Sequence, residues 1–307
     1  MYNEERKKRF IQYKTENAKY DNYFIKGVLS KMEPFEEDLN KDACNFTTAE
    51  IENAYKTLNF VSSNSISMFN SVNSSYTSWC FLNGYVFDGQ NHYGEFTVAR
   101  LGELINKYIR DAKIVDREKV LNWCWQLPNA SDKFLLLGLF EGIGGRDYIN
   151  FTDLVKSDIN IDDCTIDLAD RGKVKFSKEL CYLGLDAAEE QDYYTLKSNG
   201  ERIVKMIRSD KVIKDNTNAR DNPTQFRKGR RIYSWIKRVF VFLGIDAVFK
   251  PGDISDSGII YYINEQSKEL NISGEKFLRN NEDKIREQFG RNIRWNNFYR
   301  LYKDFLA

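Results

Sequence analysis

Near neutral pH, one side chain in the 307 residues can move a proton as an imidazole: His92, the only histidine. A single histidine excludes mechanisms that need two imidazoles, and it excludes an HExxH metal site. His92 stands in a turn-forming stretch, Asp88-Gly-Gln-Asn-His-Tyr-Gly94, and reads as a loop residue without chemistry. Five cysteines, at 44, 80, 124, 164 and 181, form no CxxC pair. They fit scattered reduced thiols better than a disulfide framework or a zinc site. There is no Walker loop, Rossmann fingerprint, GxSxG or kinase motif. Gly142-Ile-Gly-Gly145 follows an apolar helix rather than a strand, which argues against a phosphate-cradling loop. The chemistry that remains is electrostatic. Net charge is +1, yet residues 201–240 carry twelve basic and four acidic side chains. Acidic residues collect instead around 33–42 and 158–170. A field segregated in this way suits a polyanion, the alternative being a solvated helix face.

The elements that must position these charges are mostly helical. With 42% hydrophobic residues the chain can bury a core, and its length suggests two domains. No apolar run reaches eighteen residues, so no membrane span is expected. The first nine residues, MYNEERKKR, do not open a secretory signal, and a cytoplasmic location is expected. Helices are expected at 4–20, 21–31 and 63–82, the last rich in Ser and Asn that could bond phosphates. Thr47-Thr-Ala-Glu50 reads as a capping box opening another helix. Residues 85–95 read as a linker. Beyond it come a helix at 97–109, one capped by Asp116 with a core face of Val120, Leu121 and Trp125, and a helix at 132–143 that is apolar nearly all round. The last is expected to be a buried central helix. Residues 159–176 alternate and turn at 170–173, as a hairpin or small sheet does. Residues 177–191 are helical, 193–214 suggest short strands, and helices run from 223 with breaks at Gly244, Pro251-Gly252 and Ser273. Trp123, Trp125, Trp235 and Trp295 are expected to pack rather than stack on bases.

Residues 135–159, LLLGLFEGIGGRDYINFTDLVKSDI, resemble the first conserved box of the tyrosine recombinases, or phage integrases. In that family an apolar helix ends in glycine, a catalytic arginine follows, and a short helix leads into an Asp-Ile strand. Arg146 holds the arginine position and Lys173 lies near the turn lysine. The resemblance implies a mainly α fold with a small β-sheet. Residues 1–86 would be a helical, SAM-like core-binding clamp, 87–96 a linker, and 97–307 an integrase-like domain lacking the full catalytic set.

The departures bear on function. Where the family has Pro-His-x-x-Arg-His, this chain has Pro251-Gly252-Asp253-Ile254-Ser255-Asp256. Gly252 stands for the histidine and Ser255 for the second arginine. Phe289-Gly290-Arg291 stands for Leu-Gly-His. Tyr299 and Tyr302 bracket the nucleophile position, which is Arg300. Strand transfer needs two arginines on the scissile phosphate and a proton donor for the leaving oxygen. These positions are therefore expected to be vestigial, with no catalysis and no cofactor or metal. The resemblance then implies a protein that clamps duplex DNA without cutting it, as the repressors of SPβ-type prophages do. Such a protein binds short repeated operators, keeps lytic genes silent, and is relieved by a phage-encoded factor.

The expected DNA-binding residues are Arg146, Arg171, Lys173, Arg227, Lys228, Arg230, Arg231, Lys237, Arg238 and Arg291. Arg146 has a structural alternative, pairing with Asp147 or Asp153. The C-terminal helix is a candidate for self-association. A recombinase with displaced catalytic residues and a protein-interaction module are the competing readings.

Overall fold

A computed structural model describes residues 1–17, 22–196, 202–214, 225–245 and 249–307; the side chains of Asn17, Ser63, Arg146, Gln225, Phe226 and Arg227 are also outside the description. Of the basic segment, Glu201, Asp215, Arg220 and Asp221 lie outside the described residues. The chain divides into two compact units, Met1–Ala112 and Lys113–Ala307.

The first unit is helical: α1 (Glu4–Asn17), α2 (Asn22–Leu39), α3 (Thr48–Thr57), α4 (Ser63–Leu82), α5 (Val98–Glu103) and α6 (Lys107–Asp111). α3 opens on the expected capping box, with Thr47 and Glu50 each bonding the other's backbone N–H. α4 buries Ile66, Phe69, Tyr76 and Cys80 at helical spacing. Part of its polar face is also inside: the Asn70 amide accepts from Tyr55 and donates to the Tyr93 carbonyl.

The expected linker at 87–96 is not one. Tyr93 is 1% exposed, its hydroxyl donates to the Ala43 carbonyl, and Phe96, Leu101 and Leu104 join the same core cluster. The boundary falls at 112/113 because this segment completes the apolar core of the first unit. The single helix expected at 97–109 is two, broken where Asn106 caps α6. His92 ties the segment together, its ring nitrogens 2.7 Å from Asp88 and from Glu95.

In the second unit α7 (Arg117–Gln126) precedes α8 (Ala130–Glu141), and nine of the twelve α8 residues are buried, as the all-round apolar pattern implies. After α9 (Ile149–Asp153), strands β1 (Ile159–Asn160), β2 (Thr165–Leu168) and β3 (Gly172–Lys175) form an antiparallel sheet. Its register pairs Ile166 with both Ile159 and Val174, which puts the apolar positions on one face. α10 (Lys178–Glu189) follows its Ser177 cap, and β4 (Asp192–Tyr194) pairs with β5 (Ile203–Lys205).

The last helices are α11 (Gln225–Phe242), α12 (Pro251–Leu270), α13 (Gly274–Asn280), α14 (Glu282–Phe289) and α15 (Trp295–Tyr302). α12 lies directly on α8: a Cβ at Gly258 would stand 1.6 Å from the Phe140 carbonyl oxygen, so only glycine permits the contact. α11 is tied to α8 through Asp132, whose carboxylate accepts from Trp235 Nε1 at 2.6 Å and from Asn129 and Tyr193. Burial outweighs those bonds and pushes the Asp132 carboxyl up to about 6.

Trp125, expected in the core, is 78% exposed, because α7 turns only its Val120 and Cys124 face inward. α15 and the residues after it pack on their own unit, with Trp295, Tyr299, Tyr302 and Leu306 against a core of α12, α13 and α14 residues. No described helix is long and apolar enough to cross a membrane.

Candidate nucleic-acid interface

The chain leaves α8 at Gly142 and reaches Arg146, which opens a short turn before α9. The Arg146 side chain lies outside the described residues. Asp147 and Tyr148 hold φ of 56° and 59°, left-handed values that non-glycine residues rarely adopt. Two such residues in succession cost roughly 1–3 kcal/mol each unless their surroundings enforce them. The enforcing element is the basic end of α11. Gly229 presses on the Asp147 backbone so closely that a Cβ would sit 2.3 Å from its carbonyl oxygen. The Tyr148 and Tyr233 rings meet at 6.1 Å. Lys228 bonds Asp153 at 3.0 Å, and Lys211 approaches the same carboxylate at 3.6 Å. The structure thus joins two features that are eighty residues apart in sequence, the Arg146 turn and the basic start of α11.

The Pro251–Asp256 and Arg291 positions converge as well. Gly252 is exposed on the first turn of α12, and Ser255 and Asp256 follow one turn on. Arg291 comes just after the left-handed Gly290 that ends α14. Its Nη1 donates to Ser255 Oγ at 3.0 Å and to Asp256 Oδ1 at 2.7 Å. The other Asp256 oxygen accepts from the Tyr302 hydroxyl at 2.7 Å. Burial, and then the Asp256 charge, push the Tyr302 phenol far above its ordinary range. A hydrogen bond to Glu275 holds the Tyr299 phenol up as well. Asp256 is the residue that sequence reasoning missed. Its partners lie 35 and 46 positions away, so no local pattern announces it.

The remaining expected contacts divide. Lys173 is exposed on β3 opposite Asp167, and Arg230, Arg231 and Arg238 are exposed on α11. The Arg227 side chain lies outside the described residues. Arg171 does not face outward. Its side chain is 8% exposed, and it bonds the Gly142 and Ile143 carbonyls as well as Asp170. It satisfies the open carbonyl end of α8, at a burial cost that lowers its pKa. Lys237 is half-buried and donates to the Phe249 carbonyl. Arg291 faces Asp256 rather than standing clear.

An α-helical first unit, followed by a helical unit that carries a three-stranded sheet and an arginine after its central helix, defines a two-domain protein of tyrosine-recombinase-like architecture. Residues 1–82 match the family described as "MrpR, N-terminal core-binding domain", and residues 114–307 match "MrpR, C-terminal catalytic domain". The chain belongs to the MrpR family. Among solved structures, that of XerA recombinase is similar over 97% of this chain and 92% of that one, at 13% identity and a TM-score of 0.38. No curated protein matches the chain.

Proposed function

We propose that this chain is a sequence-specific double-stranded-DNA-binding transcriptional repressor of a temperate phage, maintaining lysogeny on a recombinase scaffold that does not cut DNA. The sequence resemblance to the master repressor of SPβ-type prophages motivates the biological role. The observation that carries the reading is the Asp256 constellation. Strand transfer needs a phenol free to attack phosphorus and cations aimed at the phosphate. Here the Tyr302 hydroxyl and the Arg291 guanidinium both point at one internal carboxylate. That carboxylate repels a phosphate. Ser255 supplies no second guanidinium. DNA binding is supported by the exposed Arg230, Arg231, Arg238 and Lys173, together with Arg146 at its turn. Phosphate contacts would supply affinity and base contacts the choice of operator.

In this reading the protein works in the cytoplasm of a bacterial host, at the nucleoid. Its partners are short operators and a phage-encoded antirepressor. Self-association through the C-terminal helix would require α15 to leave the core it occupies in its own unit.

Sequencing the genomic fragments retained by purified protein tests the binding half, and a recurrent short sequence is expected. Suicide substrates nicked within that sequence test the catalytic half. They should give no protein–DNA adduct on denaturing gels. An adduct through Tyr299 or Tyr302 would establish instead a recombinase with displaced catalytic residues.

A further inference from the structure

Two hydrogen-bond donors from separate elements of the second unit, the Arg291 guanidinium and the Tyr302 hydroxyl, meet at the Asp256 carboxylate, and the guanidinium also donates to the Ser255 hydroxyl. A cation beside a hydroxyl on a separate element is the donor set of an oxyanion site. The anion in it is Asp256, one oxygen on the guanidinium and the other on the phenol, both at 2.7 Å. The point is not sealed. The Arg291 side chain is 37% exposed and Asp256 19%.

We propose that Asp256 is a built-in competitor of the DNA backbone: it occupies the oxyanion site of Arg291 and Tyr302 and sets affinity by holding Arg291 away from phosphate. The inference rests on the DNA-binding reading and adds to it the residue that tunes its strength. A carboxylate covalently fixed beside the guanidinium has a high effective concentration, so a phosphodiester must displace it before it can reach Arg291. Each duplex sequence is weakened by the same sequence-independent increment, so the ratio of operator to non-operator affinity is unchanged.

The experiment is a double-mutant cycle read by DNA affinity across a salt series. Asp256→Asn keeps an acceptor for the Tyr302 hydroxyl and removes the charge. It should tighten binding to operator and to unrelated duplex alike by about tenfold. The slope of log affinity against log salt should steepen by about 0.9, as one more neutralised phosphate requires. In an Arg291→Gln background the same change should leave affinity where it was, since the released cation is absent. Tighter binding that persists there is a general field effect and overturns the proposal, as does an Asp256→Asn protein that binds like the wild type. Asp256→Ser, which also removes the charge, serves if the asparagine variant does not fold by thermal melting. Failure of the wild-type protein to bind duplex DNA in a salt-dependent way would instead sink the DNA-binding reading itself.

Discussion

The two ends of the candidate interface handle their cations in opposite ways. At the Arg146 end, a strained turn is pressed into shape by α11, and the basic residues beyond it, Arg230 and Arg231, are exposed. At the Tyr302 end, the Arg291 guanidinium and the Tyr302 phenol both donate to Asp256. One end thus carries exposed basic side chains, while at the other the guanidinium is paired with a half-buried carboxylate. The difference teaches that counting basic residues overstates what a surface can offer a polyanion. Arg171 and Lys237 make the same point, since both are committed to backbone carbonyls.

The largest expected effect tests the open end. Arg146→Ala should weaken operator binding about tenfold to a hundredfold, the equivalent of roughly 1.5–3 kcal/mol for a charge-assisted contact. Thermal melting of the free protein should hardly move, because a phosphate absent from that state cannot stabilise it. Normal binding with a melting point several degrees lower would instead make Arg146 a structural residue, paired with Asp147 or Asp153. Next comes the pair Arg230→Ala and Arg231→Ala. Binding should weaken by about tenfold on all sequences alike, and the salt slope should flatten by about 0.9 for each phosphate that is no longer neutralised. An unchanged slope would remove these arginines from the interface and erase the contrast between the ends.

The closed end should answer in stability. Tyr302→Phe removes a hydrogen bond to a charged, half-buried acceptor, and denaturant unfolding should show a loss of about 1.5 kcal/mol. No loss would mean that Asp256 does not depend on the phenol. The smallest effect lies in the first unit and tests neither end, which makes it a useful baseline. Hydrogen bonds to Glu95 and then Asp88 raise the His92 pKa above 6.5. A raised histidine stabilises fully below its unfolded pKa and loses that contribution as pH rises through the folded value. Melting temperature should therefore fall slightly as pH climbs above 6.5, and His92→Gln should flatten that part of the profile.

Local signals were the legible ones. The Thr47–Glu50 box, the Asp116 cap, the all-apolar α8 and the alternation across 159–176 each depend on neighbours within a few residues, and each stands where the sequence puts it. Tertiary competition decided the rest. Gly, Asn and Asp around Tyr93 read as a linker, yet one buried aromatic with a hydrogen bond to Ala43 makes that stretch part of the core. Arg171 looked like a turn cation, but the carbonyl end of α8, 29 residues earlier, claimed it. Asp256 had no signature, because an aspartate in a helix acquires its meaning only when Arg291 and Tyr302 arrive.

The close approach of Gly258 to Phe140 also has a consequence in time. A ribosome adding about 5–20 residues per second finishes α8 roughly ten seconds before it makes the α12 residue that covers it. During that interval Phe140 and its apolar neighbours gather α7, α9, the small sheet, α10 and then α11, but not α12. Until α12 arrives, the side of α8 that Gly258 will meet stands uncovered. Slowing translation between codons 140 and 258 should lower the yield of soluble protein more than slowing it anywhere in the first hundred, where each core partner is made soon after the last.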